Sequence, residues 1–194
     1  MYSFVDRLAR LFAQLGGLVL SVLIILTCFS IAGRSMSGLL HADWVQAVLP
    51  GVSTALLDLG VGPINGDFEL VEAGMAFSIF AFLPLCQLNR AHASVDIFTS
   101  VLPVRFNRIL GAVIEIVFAG ILVLIAWQLF EGTLSKRNSG QTTFLLEFPI
   151  WWAYAVSLVA AVVAAFVSIY VASMRVVGAV TGHRVLPPEL EPDH

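Results

Sequence analysis

Three carboxylates carry the sharpest chemical signal in this sequence, because Glu69, Glu72 and Glu115 interrupt stretches that are otherwise almost wholly apolar. A charged carboxylate near the centre of a bilayer costs at least about 2.5 kcal/mol on insertion scales, so such groups face protein or water and find a partner. Glu69 and Glu72 stand in the first turns of one apolar stretch, behind Asp67, which is placed to cap that helix, and the helix dipole favours negative charge there. Arg34 closes the preceding apolar stretch at the same depth. An ion pair of Arg34 with Glu69 or Glu72, or an anchor for a partner subunit, is the expected use of these charges. Binding of a proton or sodium ion is the alternative chemistry. Glu115 lies six residues into another apolar stretch, roughly 9 Å from its edge at about 1.5 Å per residue, within reach of Arg90, Arg108 or Arg10. It shares a helix face with Gly111 and Ala119, which points it into a close helix contact rather than lipid. A coupling-ion site would need several convergent oxygens, and one chain offers too few.

Other chemistries find little support. Cys28 and Cys86 both fall inside apolar stretches and read as buried free thiols, with neither a disulfide framework nor zinc spacing around them. His41, His92, His183 and His194 all lie outside those stretches, so no histidine projects into a bundle to hold haem. No serine, cysteine, histidine and acid arrangement has nucleophile-like spacing, and no glycine loop is built to cradle phosphate. With a net charge of -3 and only ten Lys and Arg there is no basic stripe for a nucleic acid. The sequence therefore reads as a non-enzyme with no cofactor and no metal.

The elements that must position these residues are membrane spans. A chain of 194 residues that is 59% hydrophobic and 12% charged, with a mean hydropathy of +0.93, exceeds what a water-facing surface tolerates. Crossing the roughly 30 Å hydrocarbon core takes about 20 mostly apolar residues. Four windows qualify, at about 11–32, 68–88, 109–130 and 150–171, and the second is weakest because it holds Glu69 and Glu72. The expected fold class is an all-α integral membrane protein of four transmembrane helices with short interfacial amphipathic helices. The run after Arg7 and Arg10 is too long for a signal-peptide core and is read as a span. Leu26-Thr27-Cys28 is discounted as a lipidation site, because Thr is poorly suited before the cysteine. Pro84 inside the second window predicts a kink. Ala153, Ser157, Ala161 and Ala165 recur at four-residue intervals in the fourth, a face that allows close helix approach.

Orientation follows from Lys and Arg, which are retained on the cytoplasmic side. Arg7, Arg10, Arg90, Arg105, Arg108, Arg175 and Arg184 agree on one side, leaving Arg34, Lys136 and Arg137 on the other. Both termini are therefore expected on the cytoplasmic side. Trp44, Trp127, Trp151 and Trp152 all map to the outer interface, which suits indole rings. The outer loop, 33–67, is too apolar to be disordered, and one or two interfacial helices are expected near 40–60, with a similar inner segment at 95–102 stopped by Pro103. A single domain spans 1–180, and the tail 181–194, proline-rich and polar, has too little apolar content to fold. No repeat is visible, so the inverted halves of many transport pathways are not evident.

Two stretches carry a family resemblance. Asn89-Arg90-Ala91-His92-Ala93-Ser94-Val95-Asp96-Ile97-Phe98 follows the second window, and the segment from Gly140 through Pro149 to Trp151, Trp152 and Tyr154 leads into the fourth. The chain resembles the small membrane subunit of TRAP transporters, the DctQ type, with Arg90, His92, Val95 and Asp96, then Gly140, Pro149, Trp151 and Tyr154 matching the family pattern. The resemblance implies a tripartite system in which a periplasmic binding protein (DctP-type) captures an organic acid and a large membrane subunit (DctM-type) carries it with a sodium gradient. This subunit would brace that large subunit's scaffold in the lipid bilayer. The long outer loop departs from the short connection expected. Two other readings remain open: a membrane anchor of a redox complex, and a small stand-alone transporter.

Overall fold

A computed structural model describes residues 2–48, 50–58, 60–89 and 104–181. Six helices are described: α1 (Tyr2–Leu40), α2 (Asp43–Val48), α3 (Pro50–Asp58), α4 (Asp67–Leu88), α5 (Val104–Ser139) and α6 (Trp151–Thr181). Four of them, α1, α4, α5 and α6, are long and apolar enough to cross a membrane, and the fold is all-α.

The four long helices stand in a row. α4 lies between α1 and α6, and α6 lies between α4 and α5. The sequence explains why α6 takes a central place: in its most apolar window 56% of residues are buried, against 17% in each of the other three. Its small residues Ala160, Ala161, Ala164 and Ala165 are all buried, and with nothing larger than a methyl group they let neighbouring backbones come close. α1 and α4 run antiparallel. Ser30 meets Asp67 at one end, and Val5 and Ala9 pack with Leu88 and with Val167, Tyr170 and Val171 of α6 at the other. Midway, a β-carbon on Gly16 would stand 3.1 Å from that of Ala81, and Ser78 donates to the Gly16 carbonyl at 3.3 Å.

Three helices outrun the windows read from hydropathy. α1 continues to Leu40 rather than ending near residue 32, because no proline stands between Arg34 and Leu40 and the helix carries through Gly38 into the polar layer. α5 likewise runs to Ser139 and α6 to Thr181. Hydropathy marks where lipid ends, not where the hydrogen-bonded ladder ends. The connection after α1 folds into the two short helices α2 and α3, where one or two were expected. Ser53 of α3 donates at 2.7 Å to the Leu40 carbonyl, one of the acceptors that a helix leaves open at its C-terminus. Pro84 lies buried inside α4, which continues through it to Leu88.

Asp67 does not cap α4. Gly66 does, at φ 80°, a left-handed conformation that suits glycine, and Asp67 becomes the first helical residue. The inner interfacial segment 95–102 lies outside the described residues, as does the tail from residue 182 onward.

Candidate functional site

Two polar knots and one groove hold the bundle's functional side chains. The first knot joins α1 to the start of α4. Ser30 and Arg34 stand four apart on one face of α1, and both reach the carboxylate of Asp67. Ser30 Oγ donates to Asp67 Oδ2, and Arg34 Nη2 lies 3.8 Å from the same oxygen. The other oxygen accepts the Phe68 amide at 2.9 Å, and the Arg34 guanidinium also sits 5.6 Å from the Phe68 ring centroid. Arg34 thus pairs with Asp67, not with Glu69 or Glu72 as the sequence suggested. Freed from capping by Gly66, the Asp67 carboxylate turns toward α1, whereas the following acids turn away.

Glu69 holds a different element. Its two carboxylate oxygens accept the backbone amides of Leu145 at 2.7 Å and Leu146 at 3.0 Å, in the segment joining α5 to α6. That segment is a tight hairpin: Thr143 N–H donates to Phe148 O at 2.9 Å and Ile150 N–H to Gln141 O at 3.0 Å, and Thr142 bridges to Pro149. Gly140 opens it at φ 61°, and Glu147, at φ 53°, is the one non-glycine residue in the left-handed region among the described residues. Arg137 stacks 5.5 Å over Trp151, and Trp151 meets Trp152 edge to face with centroids 6.1 Å apart. Gly140, Pro149, Trp151 and Tyr154 are therefore brought together around one turn, with Tyr154 packed on Gly132.

The second knot lies near the opposite end. Glu115 of α5 sits 3.5 Å from Arg175 of α6 and accepts a hydrogen bond from Gln87 of α4, so one carboxylate ties three helices. Gly111 lies beside the arginine: a β-carbon there would stand 3.6 Å from Arg175 Nη1, an ordinary van der Waals contact. Of the partners proposed for Glu115, Arg10 instead pairs with Asp6 at 2.9 Å, and Arg90 lies outside the described residues. By hydropathy Arg175 follows a span end and reads as cytoplasmic; because α6 continues to Thr181, it lies inside the helix contact.

His92 and Asp96 also lie outside the described residues. Ala161 and Ala165 are buried within the chain, Ala165 packing with Ala164 and Leu122 against Leu83 and Phe118. Glu72 is exposed at the mouth of a groove of about 310 Å³ that lies between α4, α5, α6 and the hairpin. Among the described residues no group of three or more His, Cys, Asp or Glu side chains could hold a metal ion.

A protein-family model described as "Tripartite ATP-independent periplasmic transporters, DctQ component" matches residues 58–177. No curated protein and no solved structure matches the chain.

Proposed function

The chain belongs to the DctQ family, the membrane component of tripartite ATP-independent periplasmic (TRAP) transporters, and from that premise we propose that it is the non-catalytic small subunit that braces the large transport subunit. The proposed partners are a DctM-type membrane subunit and a DctP-type periplasmic binding protein, and the proposed cargo is an organic acid driven by sodium. The family is a transporter component and not a known enzyme family. Membership in the family supports this reading over the redox-anchor and stand-alone readings that the residues alone left open.

The observation that carries the bracing role is where the charges go. Asp67 ties α1 to α4, Glu69 ties α4 to the hairpin, and Glu115 ties α5 to α4 and α6. Each acid is spent on holding one element to another. Meanwhile α1 and α5 keep rows of exposed apolar side chains, among them Leu18, Ile25 and Phe29, and Ile116, Leu124 and Trp127. Those rows suit lipid on one side of the row of helices and a large membrane partner on the other. Apolar helices gain no hydrophobic drive from meeting inside lipid, so packing and polar contacts must specify assembly.

The proposed orientation places both termini in the cytoplasm and the hairpin with Trp151 outside, supported by the seven-to-three division of Lys and Arg. In that orientation the hairpin and α2 and α3 face the docking binding protein. Two experiments test the reading. Membrane-impermeant thiol reagent should label Ser139→Cys from outside and leave Ser94→Cys untouched; the reverse pattern overturns the topology. Affinity purification from a mild detergent should bring down one large multi-span protein in constant ratio, identified by mass spectrometry. A chain that purifies alone, or with a haem chromophore, contradicts the assignment.

A further inference from the structure

The groove beside Glu72 is not used by the bracing role. We propose that it binds an amphiphile whose head carries a primary ammonium, the chemistry of an aminophospholipid such as phosphatidylethanolamine.

Its shape comes from helix periodicity. On α4 the lining residues Glu69, Glu72, Ala76 and Phe80 fall on one stripe, and on α6 Ala153, Tyr154 and Ser157 do the same, so the groove runs along the helices. From Glu69 to Phe80 the stripe covers roughly 16 Å at about 1.5 Å per residue. Its polarity is graded along that length. The two carboxylates stand at the end that carries the tryptophans, and Phe80 and Leu129 line the wall farther in. An elongated slot with a charged mouth and an apolar wall is the complement of one headgroup and its chain.

The sign of the charge selects the head. The lining includes two carboxylates and no lysine or arginine, so an anionic head or an organic acid is repelled while a cation is attracted. An ammonium brings three donors and no acceptor, which matches a site whose polar groups are carboxylate and hydroxyl oxygens.

Ser157 provides the independent observation. It is 2% exposed, lines the groove, and its Oγ has no hydrogen-bond partner. Ser21, Ser78 and Thr133 show what a hydroxyl in these helices does by default, each donating to the carbonyl four residues back. Ser157 makes no such bond. Ser168, farther along α6, is likewise buried and unpartnered, but of the two only Ser157 lines the groove; a buried hydroxyl left without a partner costs on the order of a hydrogen bond. A ligand in the groove supplies that partner.

The test uses the full-length chain purified in mild detergent and offered equal amounts of phosphatidylethanolamine, phosphatidylcholine and phosphatidylglycerol, with bound lipid read by native mass spectrometry. Phosphatidylethanolamine should be retained over the other two. Glu72→Gln, at an exposed position, should lower that retention about tenfold, the worth of one charge-assisted hydrogen bond. Ser157→Leu should fill the slot and abolish it, with the helical circular dichroism signal retained as the check on folding. Equal retention of the three lipids, or retention unchanged in Glu72→Gln, overturns the proposal. So does a chain that retains no lipid but loses its large partner on Glu72→Gln, which would give the groove to a cationic side chain of that partner. The readout is lipid on this chain and not transport, so its failure leaves the bracing role standing.

Discussion

The two polar knots sit at opposite ends of the bundle and rest on opposite physics. Where α1 meets α4, the Arg34 side chain is 56% exposed and its nitrogen stays 3.8 Å from Asp67, so water competes for the cation. Where α5 meets α6, Glu115 and Arg175 are 11% and 14% exposed, 3.5 Å apart, and Gln87 adds a further hydrogen bond. An exposed pair contributes little, because solvent screens it and two long side chains must be ordered. A buried pair gives little net stability over an apolar replacement, yet breaking it strands a charge where nothing else can solvate it. One knot is a loose clasp at the interface, and the other a lock whose halves depend on each other.

The largest effect should come from opening the lock. Arg175→Leu leaves Glu115 buried without its cation and should destabilise the purified chain by about 3–5 kcal/mol. Adding Glu115→Leu should recover most of that loss in the same denaturation experiment. A single substitution that costs less than about 1 kcal/mol would mean that the two ends do not differ as claimed. Next comes the packing that seats the lock in the row of helices. Ala161→Leu or Ala165→Leu forces a larger side chain into a place where the buried residue is a single methyl group and should cost about 1–3 kcal/mol, with transport falling in proportion to lost complex.

The clasp should respond in two distinct steps. Asp67→Ala removes the shared acceptor of Ser30 and Arg34 and should cost about 1–3 kcal/mol, since the Ser30 hydroxyl is left buried. Arg34→Gln should cost no more than about 1 kcal/mol, and that small effect should shrink further as salt rises. Glu69→Gln should change local order rather than global stability. Its carboxylate would become a weaker acceptor for the Leu145 and Leu146 amides, and hydrogen exchange at those two amides should quicken while the helices keep their protection.

How much of this was legible beforehand follows from what sets each feature. The spans and the buried small-residue stripe of α6 were readable because they depend on local composition and period. The need of Glu115 for a protein partner was readable as well, because lipid offers a charge nothing. The identity of the partners was not. Ser30 and Asp67 stand 37 residues apart, Gln87 and Glu115 28, and Glu69 and Leu145 76. Such pairings are decided by helix order and rotation, which no window of sequence contains. Asp67 shows the cost of a local rule: an Asp before an apolar run reads as a cap, but Gly66 at positive φ takes the cap and releases the carboxylate for α1. In the sequence Ser157 is only one member of a small-residue face, and its unpartnered hydroxyl is visible only once the neighbouring helices are in place.

The central claim is that this chain holds a transporter together without carrying anything itself. It is tested most directly by reconstituting the large subunit and the binding protein in proteoliposomes under an imposed sodium gradient, with this chain, without it, and with this chain as the only membrane protein. The account predicts sodium-dependent uptake only when both membrane subunits are present, with the affinity of the binding protein for its ligand unchanged throughout. Full uptake without this chain, or ligand-driven flux through this chain alone, would contradict it.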